Sequence, residues 1–230
     1  MQIKTGTMLL FGIICFFQVT AQSGVLSSAQ FQQQVSAGQS QLLDVRTAGE
    51  YKQGHLANAL QADWTNSAEF AERIKYLDKN KPLLVYCASG GRSGQAAEWL
   101  VKKGFVKVDN LSGGMISWKQ ASLPFVTEEA TRQMTAEEYA KLIRSASVVL
   151  VDFGADWCPP CKKMEPVLAA LQKEMPNKYK LVKVDGGRDT DIMKANGVSA
   201  IPVFIVYKNG KETYRVQGVV DKNILKEQLQ

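Results

Sequence analysis

Short, uniformly apolar runs alternate with segments of helical period in two successive sets along this chain. Leu42-Leu43-Asp44-Val45 and Leu83-Leu84-Val85-Tyr86 belong to the first set. Val148-Val149-Leu150-Val151-Asp152-Phe153 and Leu181-Val182-Lys183-Val184 belong to the second. Runs this short and this apolar read as strands buried on both faces, and strands alternating with helices imply mainly parallel sheets. The fold class is therefore α/β, in two domains. The stretch at residues 124–134 is polar, shows no clear period and separates them. With a leader considered below, the predicted units are 1–21, 22–125, a linker at 126–133, and 134–230.

Local signals place the helices. Ser27 and Gln30 have capping-box spacing ahead of Phe31 and Val35, so the first unit is expected to open with a helix. Residues 94–103 carry Ala97, Leu100 and Val101 on one face, and Gly104 stops that helix. Thr135 and Glu138 form a second capping box, and Asp221 is placed to cap a terminal helix. Lys208-Asn209-Gly210-Lys211 between two β-rich runs is a hairpin turn, which gives the second sheet an antiparallel part.

Residues 1–21 read as a secretory signal. Lys4 precedes the apolar run Met8-Leu9-Leu10-Phe11-Gly12-Ile13-Ile14-Cys15-Phe16-Phe17, and Val19-Thr20-Ala21 supplies the small residues of a cleavage site. The run is short for a membrane anchor, which takes about 20 apolar residues. The expected location is periplasmic or secreted, after cleavage near Ala21. Cleavage removes Cys15 and Lys4, and the formal charge falls from +6 to +5. The basic residues are scattered, without the aromatic interleaving of a nucleic-acid surface, so no nucleic-acid partner is expected. His55 is the one histidine, which weakens metal-site and Cys–His or Ser–His hydrolase readings. No metal and no cofactor are expected.

Three cysteines then remain: Cys87, Cys158 and Cys161. An odd number in an oxidising compartment partitions into one close pair and one free thiol. The free thiol, Cys87, directly follows an apolar strand and opens the loop Cys87-Ala88-Ser89-Gly90-Gly91-Arg92-Ser93. Two glycines permit positive φ and leave backbone N–H groups uncovered. Such a loop ahead of a helix makes an anion nest that lowers a thiol pKa, with Arg92 expected to add a forked charge. The competing reading is a buried structural cysteine.

This region resembles the rhodanese family from about Val25 to Val126. The resemblance rests on Leu42-Leu43-Asp44-Val45-Arg46, Glu50-Tyr51, Gly54-His55-Leu56-Ala57-Asn58-Ala59, the Cys87 loop, and Gly113-Gly114-Met115-Ile116-Ser117-Trp118. It implies that Cys87 carries sulfane sulfur as a persulfide. It also implies that the loop, Ala88, Ser89, Gly90, Gly91, Arg92 and Ser93, holds the donor. Four residues separate Cys87 from Arg92, the family's length for sulfur; phosphatase relatives have one more. Asp44, Arg46, Glu50 and His55 read as framework residues. Ala57-Asn58 departs from the family's usual Pro-Gly at a turn.

The pair lies in Trp157-Cys158-Pro159-Pro160-Cys161-Lys162, at a helix start. The first sulfur of such a motif meets the positive helix end, with a pKa of about 3.5–7.5. A zinc half-site lacks two further ligands, and a static disulfide across this spacing is reducible. The region resembles thioredoxin from about Met134 to Gln230. That resemblance rests on Val151-Asp152-Phe153, residues 155–162, Pro166 and Val198-Ser199-Ala200-Ile201-Pro202. It implies a Cys158–Cys161 redox disulfide, with Cys158 as nucleophile and Cys161 as resolving thiol. Asp152, partnered by Lys183, would deprotonate Cys161, and Trp157, Ile201 and cis Pro202 would contact substrate. Gly154 stands where thioredoxins usually carry Trp, and Pro159 where they carry Gly. The dipeptide between the cysteines tunes a potential that spans about −270 to −120 mV across related pairs.

The sequence thus predicts an exported sulfurtransferase and thiol–disulfide oxidoreductase. Its expected partners are a sulfane-sulfur donor such as thiosulfate or a persulfide, thiol or disulfide proteins, and an unidentified electron donor. The alternative makes the first domain a non-catalytic binding module.

Overall fold

The computed structural model describes residues 22–127 and 132–230. The predicted signal at 1–21 and residues 128–131 of the predicted linker lie outside these.

The first domain is a five-stranded parallel sheet. Its strands are β1 (Gln22–Leu26), β2 (Gln41–Asp44), β3 (Leu60–Gln61), β4 (Leu83–Tyr86) and β5 (Lys107–Leu111), ordered β1-β5-β4-β2-β3. Its helices are α1 (Ser28–Ala37), α2 (Ala48–Lys52), α3 (Ser67–Ile74), α4 (Gly91–Lys102) and α5 (Gly114–Gln120). The alternation of β4 decides the packing. Leu84 and Tyr86 enter a layer with Phe31, Met115 and Trp118. Leu83, Val85 and Cys87 point to the opposite layer, with Phe70, Ala97 and Leu100. A sheet covered on both faces is what uniformly apolar strands require.

The domain opens with β1 rather than with the expected helix. β1 is an edge strand held by its ladder to β5, and its Val25 is 70% exposed, so it carries no apolar alternation to read. α4 begins at Gly91, earlier than expected, because Gly90 adopts φ +94° and turns the chain at once. Asn58 takes φ +62°, the left-handed conformation that asparagine tolerates.

The second domain comprises α6 (Ala136–Leu142), β6 (Val148–Gly154), α7 (Pro159–Glu174), β7 (Lys180–Asp185), α8 (Thr190–Ala195), β8 (Val203–Lys208), β9 (Lys211–Gln217) and α9 (Lys222–Gln228). The sheet order is β7-β6-β8-β9, parallel between β6 and β7 and antiparallel elsewhere. Val149, Val151 and Phe153 of β6 face one layer. Leu150 faces the other, with Met164, Leu168 and Leu171 of α7 and Leu225 of α9. The capping boxes at Ser27 and Thr135, and the Asp221 cap, form as their spacing predicts.

Candidate functional site

Two cysteine sites form at strand-to-helix junctions. At the first, Cys87 is 1% exposed and its sulfur lies at the foot of the loop. The Gly90 N–H donates to Cys87 Sγ at 3.1 Å, and Ser93 Oγ donates at 3.3 Å. Burial pushes this thiol up. Hydrogen bonds from the Ser93 side chain and from the Ser93, Ser89 and Gly90 backbone outweigh it, and the net shift is downward. The loop rests on α5, where the Met115 N–H donates to the Cys87 carbonyl at 2.9 Å and Ile116 to Ala88 at 3.0 Å. Gly114, at φ +56°, allows this approach, because a Cβ there would strike the Cys87 and Ala88 backbone.

Arg92 directs its hydrogen bonds chiefly at Glu50, while its charge also acts on Cys87. Its two terminal nitrogens bind both oxygens of Glu50, at 2.6 and 2.8 Å. Arg92 holds the Glu50 carboxyl down at about 2. Glu50, read from sequence as framework, is therefore a direct partner of the loop's arginine. Sequence spacing gave no sign of this pair, whose members lie 42 residues apart. Asp44 and Arg46 form a buried ion pair at 2.6 Å, and Arg46 also donates to the Gly54 carbonyl. His55 stacks on Tyr51 with ring centroids 3.7 Å apart, and its Nδ1 lies 3.0 Å from the Tyr51 carbonyl.

At the second site Cys158 and Cys161 form a disulfide. Cys158 is the N-cap of α7, and the Cys161 N–H points at its sulfur at 3.4 Å. Cys158 Sγ lies 3.8 Å from the Ile201 carbonyl oxygen, beside the cis Ile201–Pro202 peptide. Asp152 is 9% exposed and has no hydrogen-bond partner among the described residues. Burial raises its carboxyl to about 6 against a smaller opposing pull from Lys183, its register partner on β7. Asp152, Gly154, Cys161, Glu165 and Lys183 line one cleft of about 220 Å³.

The first domain covers the face that carries the dithiol. The Gln61 N–H donates to the Trp157 carbonyl at 2.8 Å. The Arg73 guanidinium lies 5.1 Å from a Trp157 ring centroid, and the Tyr51 ring 5.9 Å from it. Arg73 is fixed in turn by Gln61 Oε1 and by Glu69. Arg73 also lines a shared crevice with Pro160, Ile201 and Pro202. Trp157 is 7% exposed and Cys158 0%. The residues nominated for substrate contact thus come together, but under Gln61 and Arg73. Sequence reasoning did not find those two. β3 is two residues long, and a buried arginine on α3 resembles any solvated helix charge.

Comparison with known proteins divides the chain in the same way. A thioredoxin family model matches residues 130–230, and a rhodanese-like domain model matches residues 27–121. The second half is similar to thioredoxin from Chlamydia trachomatis serovar D, with 41% identity over 92 residues, covering 40% of this chain and 88% of that protein. It is also similar to the chloroplastic thioredoxin Y of Oryza sativa subsp. japonica, with 35% identity over 100 residues, covering 43% of this chain and 60% of that protein. The first half is similar to a rhodanese-related protein from Thermoplasma volcanium, with 31% identity, covering 46% of this chain and 99% of that one at a TM-score of 0.41. Through its C-terminal half the chain belongs to the thioredoxin family, and it carries a rhodanese-like domain ahead of that half.

Proposed function

We propose that this protein is an exported sulfurtransferase and thiol–disulfide oxidoreductase. The observation that carries the first activity is the ring of donors around Cys87 Sγ, from Ser93, Ser89 and Gly90. Donors aimed at a sulfur stabilise its thiolate and, after sulfur uptake, the terminal sulfur of a persulfide. With thiosulfate, the Cys87 thiolate attacks the sulfane sulfur, the S–S bond breaks, and sulfite leaves with the electron pair. An acceptor thiolate or cyanide then takes that sulfur and restores the thiolate. Arg92, clamped by Glu50, positions the far end of the loop.

The dithiol reduces a disulfide or a persulfide. Cys158 attacks the target sulfur and forms a mixed disulfide, and Cys161 resolves it, with Asp152 as the proton acceptor and Lys183 moderating that acid. Trp157, Ile201 and Pro202 contact the substrate chain once the first domain is displaced from them. A protein disulfide releases two thiols, and a Cys87 persulfide releases hydrosulfide. Each cycle consumes two electrons, which an external donor returns to Cys158 and Cys161. Export is supported by the apolar run from Met8 to Phe17 and the small residues ending at Ala21. N-terminal sequencing of the mature protein should then begin at Gln22.

The test separates the two activities. Cys87→Ser should abolish sulfur transfer from thiosulfate to cyanide and leave reduction of disulfides intact. Retained sulfur transfer in that variant overturns the assignment. The covering of Trp157 by Gln61 and Arg73 favours a second reading, in which the first domain is a binding module. Mass spectrometry after thiosulfate treatment decides between them. One added sulfur on Cys87 supports catalysis, and an unmodified Cys87 supports the module.

A further inference from the structure

The two sulfurs of the disulfide differ in what can reach them. Cys158 is wholly buried, with Ile201 beside it and the first domain over its neighbour Trp157. Cys161 is 9% exposed and forms part of the wall of the cleft on the other side. The cleft exists where residue 154 has no side chain. A Cβ at Gly154 would stand 3.7 Å from Cys161 Sγ and 3.1 Å from Asp152 Oδ1, so one empty position borders both the sulfur and the acid. Asp152 is nine-tenths buried and has no hydrogen-bond partner among the described residues. Asp156, Glu165, Lys183, Asp185 and Arg188 complete the charged wall.

We propose that, with the domains in contact, low-molecular-weight thiols open the disulfide at Cys161 through the Asp152 cleft, and not at Cys158. The inference rests on Cys158 and Cys161 being a redox pair. The volume of about 220 Å³ admits a small monothiol and excludes a folded protein. In the first step the thiol passes its proton to the Asp152 carboxylate, and its sulfur attacks Cys161 Sγ. The Cys158–Cys161 bond breaks and the electron pair leaves on Cys158, where the Cys161 N–H already points at the sulfur. A stabilised thiolate is the better leaving group, so the chemistry favours the same direction as the access. A second thiol then attacks the small-molecule sulfur of the mixed disulfide. It releases the small disulfide and the Cys161 thiolate, and the two thiol protons end on the two cysteines. The protein disulfide is reduced and two small thiols are oxidised. Burial lifts the Asp152 carboxyl to about 6, close enough to neutral pH for the ionised group to accept the thiol proton and pass it on.

The experiment uses full-length protein. Cys158→Ser leaves Cys161 as the pair's single thiol, and Cys161→Ser leaves Cys158. Each is reacted with hydroxyethyl disulfide and followed by intact mass, with modification of Cys87 assigned separately by peptide mapping. Cys161 should be modified at least about tenfold faster than Cys158, and the reverse order overturns the proposal. Gly154→Val provides a second measurement that keeps the disulfide. Opening by 2-mercaptoethanol should slow by about tenfold or more as the cleft fills. An unchanged rate with unchanged circular dichroism overturns the proposal. Dithiothreitol should release two thiols from the oxidised protein, and removal of the reductant should restore the disulfide. If it does not, the redox pair itself fails. If it does while Cys158 reacts faster, only the cleft route falls.

Discussion

Replacing Asp152 with asparagine should stabilise the oxidised protein above pH 6 and leave it unchanged near pH 3.5. The native carboxyl titrates at about 6 because burial disfavours its charge, whereas its ordinary value is 3.8. The folded state therefore holds this proton more tightly than the unfolded chain does. Wherever the folded state binds more protons, stability falls as pH rises. The wild-type protein thus loses stability from this group between pH 3.8 and about 6, and the loss is complete above that window. The difference between 3.8 and about 6, at 1.36 kcal/mol for each factor of ten in proton affinity, amounts to about 3 kcal/mol. The asparagine amide cannot ionise and escapes the whole penalty, less the cost of burying an amide in place of an acid. Urea unfolding of oxidised wild type and Asp152→Asn at pH 3.5, 5, 6 and 8 measures the difference directly. The gap should be near zero at the lowest pH, open through pH 5 and reach on the order of 2–3 kcal/mol at pH 8. Other titrating groups are common to both proteins and cancel. A gap independent of pH, or a wild type that gains on the variant as pH rises, would refute the reasoning that burial controls this acid.

Other perturbations follow from the same contacts. Glu50→Gln releases Arg92 from its bidentate partner, and the freed charge should lower the KM for thiosulfate by about threefold, with a steeper dependence on salt. Arg92→Ala should raise that KM. Arg73→Ala removes the cation facing Trp157 and leaves the Gln61 carbonyl without its donor. It should cost about 1–3 kcal/mol in a urea melt while accelerating reduction of protein disulfides in a turbidity assay. Gly210→Ala places a Cβ at φ +76° in the β8–β9 turn and should destabilise the second domain by about 1–2 kcal/mol, read as a shift in its denaturation midpoint.

Much of this architecture was legible because the signals are local. Residues 83–86 are apolar without interruption since both faces of β4 are covered, and a glycine-rich loop must follow if α4 is to start at Gly91. Asn209 and Gly210 specify their turn by supplying two successive positive φ angles. What stayed hidden is what depends on distant partners. β1 and β3 are strands because β5 and β2 lie beside them, not because of their own composition. The Arg92–Glu50 pair joins α4 to α2, the helices that follow the neighbouring strands β4 and β2, and no spacing rule links positions so far apart. Gly154 was visible as a departure from the thioredoxin pattern, yet only the positions of Asp152 and Cys161 around it reveal the opening that it leaves. The seat for Trp157 depends on Gln61, whose amide group also ties the Arg46 carbonyl to Arg73.

That seat bears on whether the two sites exchange sulfur. Direct transfer needs Cys87 Sγ and Cys158 Sγ in contact, with both uncovered. Cys87 is 1% exposed and packs in the layer formed by Phe70, Ala97 and Leu100. Cys158 is 0% exposed and packs in a different cluster, with Trp157 and Ile201. Two elements touch both neighbourhoods: α2 carries Glu50 against Arg92 and Tyr51 beside Trp157, and α3 carries Phe70 in the layer of Cys87 and Arg73 over Trp157. Neither helix supplies a sulfur or a redox group, so they link the positions of the sites without carrying their chemistry. On the proposed sulfurtransferase activity, a sulfur atom leaving Cys87 with the domains in contact is expected to travel on a diffusible carrier, and a small thiol is an acceptor whose size matches the cleft at Cys161. The Arg73→Ala variant separates this route from direct transfer. If loosening the seat speeds sulfide release from a Cys87 persulfide in the absence of added thiol, the domains part and the sulfurs meet. If release stays dependent on small thiol in both proteins, the carrier connects the two sites.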